Sequence, residues 1–167
     1  MLYLIDTNIL ITPHRKSNPI DIHPTYWNKM SEILERKDVI SIDKVKNEIY
    51  RHKDVLFEWC EANVKDNFWQ KSDIAISEYS EIQNWAQTQN YNQRALSEFA
   101  DSENADPFIL AYALNKLRED KIKISIVTLE VSDPNIIRAV KLPDVCLNFG
   151  IRYIDNNDFF REINAIF

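Results

Sequence analysis

Glycine is almost missing from this chain: Gly150 stands alone among 167 residues. A dinucleotide fingerprint, a P-loop, a kinase glycine loop and a G-x-S-x-G nucleophile elbow each need at least two, so all four are excluded. Cysteine is scarce as well. Cys60 and Cys146 make neither a CxxC pair nor a zinc-finger spacing, so no disulfide framework is expected and a reducing cytoplasmic setting is the default. Long apolar runs are lacking: the longest, Phe108 to Leu114, falls far short of the ~20 residues that cross a bilayer. The opening Met1-Leu2-Tyr3-Leu4-Ile5-Asp6 has no basic region and meets an acid at once, unlike a secretory leader. Basic residues are in the minority, 20 Lys and Arg against 26 Asp and Glu, for a formal charge of −6. General polyanion binding is therefore not expected, and any nucleic-acid contact must come from a local basic patch.

What is present is an ordinary globular composition, 45 % apolar and 28 % charged, at a length that suits one domain able to bury its own core. No repeat and no low-complexity linker divides residues 1–167. Leu2 to Ile5 is a short apolar run ending at Asp6-Thr7-Asn8, which reads as a strand buried on both faces that stops at a polar edge. Helical spacing follows from about Tyr26 to Arg36, with Trp27, Met30, Ile33 and Leu34 on one face. Val39 to Ile42 is a second strand. Asp43 is expected to cap the helix after it, where Val45, Ile49 and His52 share a side and Glu48 lies one position off. Residues 55–100 form a polar, helical elaboration carrying Trp59, Trp69 and Trp85. An apolar helix from Phe108 to Leu117 leads to a strand at Ile124 to Val127. Ser132-Asp133-Pro134 reads as another helix start, Gly150 as a helix stop, Ile151 to Ile154 as the last strand, and Phe159 to Phe167 as a terminal helix. Strands alternating with helices predict an α/β fold in three layers, with a mostly parallel central sheet of about four or five strands.

In such sheets the working site lies beyond the carboxyl ends of the strands. Asp6 follows the first strand, Glu48 lies on the helix after the second, Glu130 follows the Ile124–Val127 strand, and Asp106 opens the helix leading into it. Each has an ordinary structural role open to it: Asp6 as a turn or cap, Glu48 and Glu130 as surface acids, Asp106 before Pro107 as an N-cap. If the four converge, they need a cation. Two carboxylates ~4 Å apart repel by roughly 4 kcal/mol at an effective dielectric near 20. Hard oxygen ligands suit Mg²⁺ or Mn²⁺, and the chemistry that follows is metal-assisted hydrolysis.

The arrangement resembles the PIN-domain family of metal-dependent ribonucleases, which includes the toxins of bacterial and archaeal toxin–antitoxin pairs. The residues carrying the likeness are Leu4-Ile5-Asp6-Thr7-Asn8-Ile9-Leu10, Lys46-Asn47-Glu48-Ile49, Ala105-Asp106-Pro107 with the Ala-rich helix after it, and Val127-Thr128-Leu129-Glu130. The family more often has Asp at the last position. Asp144, after Leu142-Pro143, is an alternative fourth acid. The resemblance implies Asp6, Asp106 and Glu130 as ligands of Mg²⁺ or Mn²⁺, Glu48 as a ligand or water-orienting group, and Asn8 and Thr128 as outer groups that hold carboxylates in place. It also implies cleavage of RNA to 5′-phosphate products and, as for the toxins of the family, a homodimer and an antitoxin protein that covers the site; a free-living role in RNA processing fits the same residues.

For RNA, the candidate contacts are Arg15 and Lys16 beside His14, Lys44 beside Lys46, and Arg51 beside His52. The tryptophans suit either base stacking or core packing. Two other classes stay open: a non-catalytic binding module on the same fold, and a structure-specific DNA nuclease. An aspartyl-nucleophile phosphatase wants Asp-x-Asp after the first strand, where this chain has Asp6-Thr7-Asn8. A metal-free route through His14 and His52 would require the two to meet.

Overall fold

The computed structural model describes residues Met1–Phe167. Five parallel strands form one sheet: β1 (Leu2–Ile5), β2 (Val39–Ile42), β3 (Trp69–Gln70), β4 (Ile124–Val127) and β5 (Arg152–Ile154), in the order β3-β2-β1-β4-β5. β1 is central, pairing with β2 at Tyr3–Val39 and with β4 from Leu2–Ile124 to Ile5–Val127. β2 and β4 are buried at all four positions, as continuous apolar strands covered on both faces should be. Ser41 is the polar exception in β2, and its hydroxyl donates to the Ile5 carbonyl at 2.7 Å.

Nine α-helices cover the sheet. α1 (Asn8–Thr12), α2 (Pro24–Leu34), α3 (Asp43–Tyr50) and α4 (Val55–Asn63) lie in the connections running from β1 toward β3; α5 (Ile76–Gln87), α6 (Gln93–Phe99), α7 (Asp106–Arg118) and α8 (Leu142–Phe149) run the other way, and α9 (Asn156–Glu162) follows β5. Right-handed crossovers put the first four in one layer and the next four in the other. The packing of α3 on α4, and of α7 on α5 and α8, agrees. α2 buries Trp27, Met30, Ile33 and Leu34, the face read from its periodicity. α7 buries Ile109 through Leu114 without a gap, because it is covered on every side.

Five expectations change. The 55–100 segment is not a purely helical elaboration: Trp69 and Gln70 pair with Ser41 and Ile42 as an edge strand, too short to show a two-residue period. Asp43 does not cap α3; it accepts from Ser72 instead, 2.6 Å from its hydroxyl and 3.2 Å from its amide. α3 ends at Tyr50, leaving His52 exposed. Ser132-Asp133-Pro134 starts no helix, and α9 starts earlier than its apolar residues suggest, because the Asp155 side chain caps it by accepting from Asp158 N–H at 2.8 Å.

Gly150 ends α8 in the left-handed region, at φ +67°. A Cβ there would meet nothing within 4 Å, so the cost of a side chain is conformational alone, about 1–2 kcal/mol. We expect Gly150→Ala to lower the melting temperature by about 2–8 °C at this chain length, and Gly150→Asn to lower it less. A thermal scan of the three proteins checks both.

Candidate functional site

β1 is where the connections reverse direction, so the crevice between β1 and β4 is the topological switch point of the sheet. Both strands continue their hydrogen bonds one residue beyond it: Asp6 N–H donates to Val127 at 3.0 Å, and Thr128 N–H to Ile154 at 3.0 Å. Asp6 and Thr128 are thus set side by side by backbone pairing. Asp6 is 2 % exposed and Thr128 1 %.

The Thr128 hydroxyl has its direction dictated by its neighbours. It accepts from Asn8 Nδ2 at 3.1 Å and from Glu130 N–H at 3.1 Å. Its own proton goes to Asp6 Oδ2, at 2.7 Å. Asn8 Oδ1 in turn accepts from Leu129 N–H at 2.9 Å. Thr128 thus holds Asp6, and Asn8 holds Thr128 and the turn that leads to Glu130. Thr128→Val would remove the bond to Asp6 and leave Asn8 and Glu130 each without an acceptor. At about 1–3 kcal/mol for an unpaired buried group, we expect a loss of roughly 2–10 °C in melting temperature, checked by the same scan; Thr128→Ser should retain most of it.

Glu48 reaches in from α3 and bridges two segments. Oε2 accepts from the Thr7 hydroxyl at 2.5 Å, and Oε1 accepts from Ala105 N–H at 2.8 Å. It ties the end of β1 to the head of α7. Asp106 is the first residue of α7, one place inside the cap position held by Ala105, and its side chain caps no amide. Its own N–H donates to Asn104 Oδ1 at 3.0 Å, so Asn104 supplies the local turn. The Asp106 carboxylate takes no hydrogen bond from the chain; what acts on it is burial and the charges of Asp6, Glu130 and Glu48.

Glu130 stands against the amino end of α8. Oε2 accepts from Leu142 N–H at 3.1 Å, and Oε1 lies 3.9 Å from Lys141 Nζ. Asp144 is bonded elsewhere and is not among the charges acting on Asp6 or Asp106. It accepts from the Ser132 hydroxyl and from Asp133 N–H, pinning the loop between β4 and α8. Of the two alternatives for the fourth acid, Glu130 is the one brought to Asp6 and Asp106.

Burial is the largest influence on Asp6, pushing its carboxyl up to about 7; the Thr128 hydroxyl opposes this, and the charges of Glu130 and Glu48 add to it. Asp106 is raised well above the usual carboxylate range, first by burial and then by the charges of Asp6, Glu130 and Glu48, with Lys141 opposing. Lys141 was not expected from the sequence. It stands alone just before a helix, in none of the basic clusters, and only the loop back from β4 brings it to Glu130. Cys146 lies close enough for Asp6 and Glu130 to raise its thiol further, on top of burial; both cysteines are free and buried.

The donors are all hard oxygens, a set that suits Mg²⁺ or Mn²⁺, and the unbonded Asp106 carboxylate has its lone pairs free. No three His, Cys, Asp or Glu side chains stand close enough together to hold one ion as they are placed.

Lys44 and Arg51 serve the loop before α7 rather than an open groove. Lys44 Nζ donates to the Ser102 carbonyl at 3.0 Å and lies over the Phe108 ring, while Arg51 meets Glu103 at 3.2 Å. Arg15 and Lys16 are exposed on a π-helical turn, Pro13–Ser17. Trp27 and Trp69 are buried, and Trp59 and Trp85 pack against the core, so the core reading of the tryptophans holds. His14 packs edge-on to Trp27, and neither His14 nor the exposed His52 bonds to the acids. A hollow of about 460 Å³ between Leu2, Arg36, Asn67 and Tyr112 opens at the opposite end of the sheet and holds none of these residues.

Fold and site together define a class: a three-layer α/β/α protein with an acidic cluster at the switch point of a parallel sheet. The family model described as a domain of unknown function, DUF4411, matches residues 3–167, and the chain belongs to that family. No curated protein matches it. No helix is long and apolar enough to cross a membrane.

Proposed function

We propose that this chain is a Mg²⁺- or Mn²⁺-dependent endoribonuclease of the PIN-like kind, acting in the cytoplasm as the toxin of a toxin–antitoxin pair and as a homodimer. One observation carries the catalytic part of the reading. Asp6, Asp106 and Glu130, from β1, α7 and the end of β4, act on one another electrostatically at the switch point, and one carboxylate among them has no hydrogen-bond partner. Such crowding is costly unless positive charge joins it.

In this reading Asp6, Asp106 and Glu130 hold the ion. When bound, the ion would balance their charge, lower the pKa of a water and stabilise charge on a phosphoryl oxygen. Thr128 and Asn8 fix the rotamer of Asp6 and the turn that carries Glu130. Glu48 already has a donor on each oxygen, and so acts as a positioning residue that sets the head of α7 against β1. The burial of Asp6 excludes bulk water from that side of the cluster.

The test is cleavage of single-stranded RNA, and of DNA of the same sequence, by purified protein. RNA should be cut only with Mg²⁺ or Mn²⁺, leaving 5′-phosphates, and chelator should stop it. Growth on expression should be impaired by the wild type and not by Asp6→Asn. A 2′,3′-cyclic phosphate product formed in chelator would sink the metal reading in favour of a histidine route. The lack of any close group of three such side chains favours one second reading, a non-catalytic binding module, which predicts that neither nucleic acid is cut and that metal leaves the melting temperature unmoved.

A further inference from the structure

Residues 129–133 leave β4 as a ridge, with Val131 at its crest 77 % exposed. A hollow lies on each side, and Glu130 lines both. One, of about 620 Å³, is completed by Asn8, Thr12, Lys16, Asp133 and Lys141. The other, of about 520 Å³, is completed by Tyr153, Asp155, Asn156 and Asp158. Their charges differ. The first carries two lysines against Glu130 and Asp133. The second carries three acids and no lining cation; the nearest compensation is Arg161, which pairs with Asp158 at 2.8 Å.

The two lysines are also differently placed. Lys16 is exposed and forms no ion pair. Lys141 stands between the first hollow and a smaller cavity of about 150 Å³ that it lines together with Asp106 and Glu130. A phosphate brought to the acids of a −6 protein meets repulsion unless a cation sits at the same place. An ammonium on a flexible stem is suited to meet it as a point charge.

We propose that an RNA strand lies along the hollow between Lys16 and Lys141, with Lys141 as the phosphate contact beside the acids and Lys16 as the contact farther along the strand, and that the hollow lined by Asp155 and Asp158 is not on its path. This rests on the ribonuclease reading and adds the route of the substrate to it. It also replaces Lys44 and Arg51, whose charges are held by the 101–104 loop, with Lys141.

The experiment is fluorescence-anisotropy binding of a short single-stranded RNA, with Ca²⁺ in place of Mg²⁺, across a salt series. Each phosphate neutralised on a single strand contributes about −0.7 to the slope of log K against log salt. Lys16→Gln and Lys141→Gln should each make that slope shallower by about 0.7 and weaken binding at low salt. Lys141→Arg should restore the slope. Lys123→Gln, at the amino end of β4 on the opposite edge of the sheet, removes the same charge and should leave the slope unchanged. A melting curve on each variant separates lost binding from lost fold. If the wild type binds and both glutamine variants keep its slope, the inference fails while the ribonuclease reading stands. Tighter binding by Asp155→Asn with an unchanged Lys16→Gln would put the strand in the other hollow and also overturn it. A wild type that neither binds nor cuts RNA overturns both.

Discussion

Raising the pH from about 5 to 8 in chelator is expected to destabilise the protein, and Mn²⁺ is expected to remove most of that loss. Asp6 is pushed up to about 7 and Asp106 is raised in the same direction. Below about pH 4 these groups are protonated folded and unfolded alike, and burial costs little. Between there and pH 7 the unfolded chain releases the Asp6 proton while the folded chain keeps it, and Asp106 acts in the same direction. The folded state then binds more protons, and stability falls as pH rises. For Asp6 alone, each pH unit between the two values is about 1.4 kcal/mol, a total on the order of 4 kcal/mol. About 2.7 kcal/mol of this falls between pH 5 and 7, and at about 2–4 °C per kcal/mol for a chain of this length the melting temperature should drop by roughly 5–11 °C. Glu81, Glu162 and Asp38 are held low by their arginine partners. Their contribution is present above about pH 4 and is lost only at lower pH, so it does not mask the trend. Metal binding favours ionised ligands. At 100 times its dissociation constant a cation adds about 2.7 kcal/mol, and the gap between Mn²⁺ and chelator curves should widen as pH rises. Melting temperatures at four or five pH values with and without Mn²⁺ decide it. A gap that is absent, or constant with pH, would mean that these carboxylates do not take up the ion.

Much of this was legible in the sequence because each part had a local cause. Leu2 to Ile5 and Ile124 to Val127 are short apolar runs that can only be central strands, and both end on polar residues at the edge where parallel sheets carry their sites. Asp6 and Glu130 follow directly from that rule, whereas Glu48 and Asp106 lie on helices beside that edge. Two things were not legible. β3 is two residues long, and its strand conformation comes from the edge of β2 that it covers, not from its own residues. Lys141 has no local signal either. Its position depends on a 128–141 loop without regular structure, whose course is set by Asp144 accepting from Ser132 and Asp133. The same bonds decide which acid joins the cluster. Asp144 is committed to the loop, and that leaves Glu130 turned toward Asp6 and Asp106. No spacing in the sequence distinguishes those two carboxylates.

Asp106→Asn is expected to give a protein more stable than the wild type in chelator and without ribonuclease activity. Had Asp106 capped α7, asparagine would have served nearly as well, and activity would survive. The cap position belongs to Ala105, and the Asp106 side chain bonds to no amide of the helix. Replacing it therefore removes no hydrogen bond. What it removes is a half-buried charge repelled by Asp6, Glu130 and Glu48, so the ion-free protein should melt higher at pH 8, and the gain should vanish near pH 4 where the wild-type carboxyl is protonated. Asp106→Ala should share that gain in chelator, since no cap is lost. The amide keeps the shape of the carboxylate but cannot balance a divalent cation. Changing an outer group around a metal site costs about 10–100-fold in affinity or activity; removing a ligand should cost at least the upper end of that range. Cleavage at saturating Mn²⁺ beside a melting curve on the same preparation reads both. Full activity in Asp106→Asn, with the stability gain present, would mean that the repulsion is real but Asp106 holds no ion, and the site would have to be rebuilt around Asp6 and Glu130 alone.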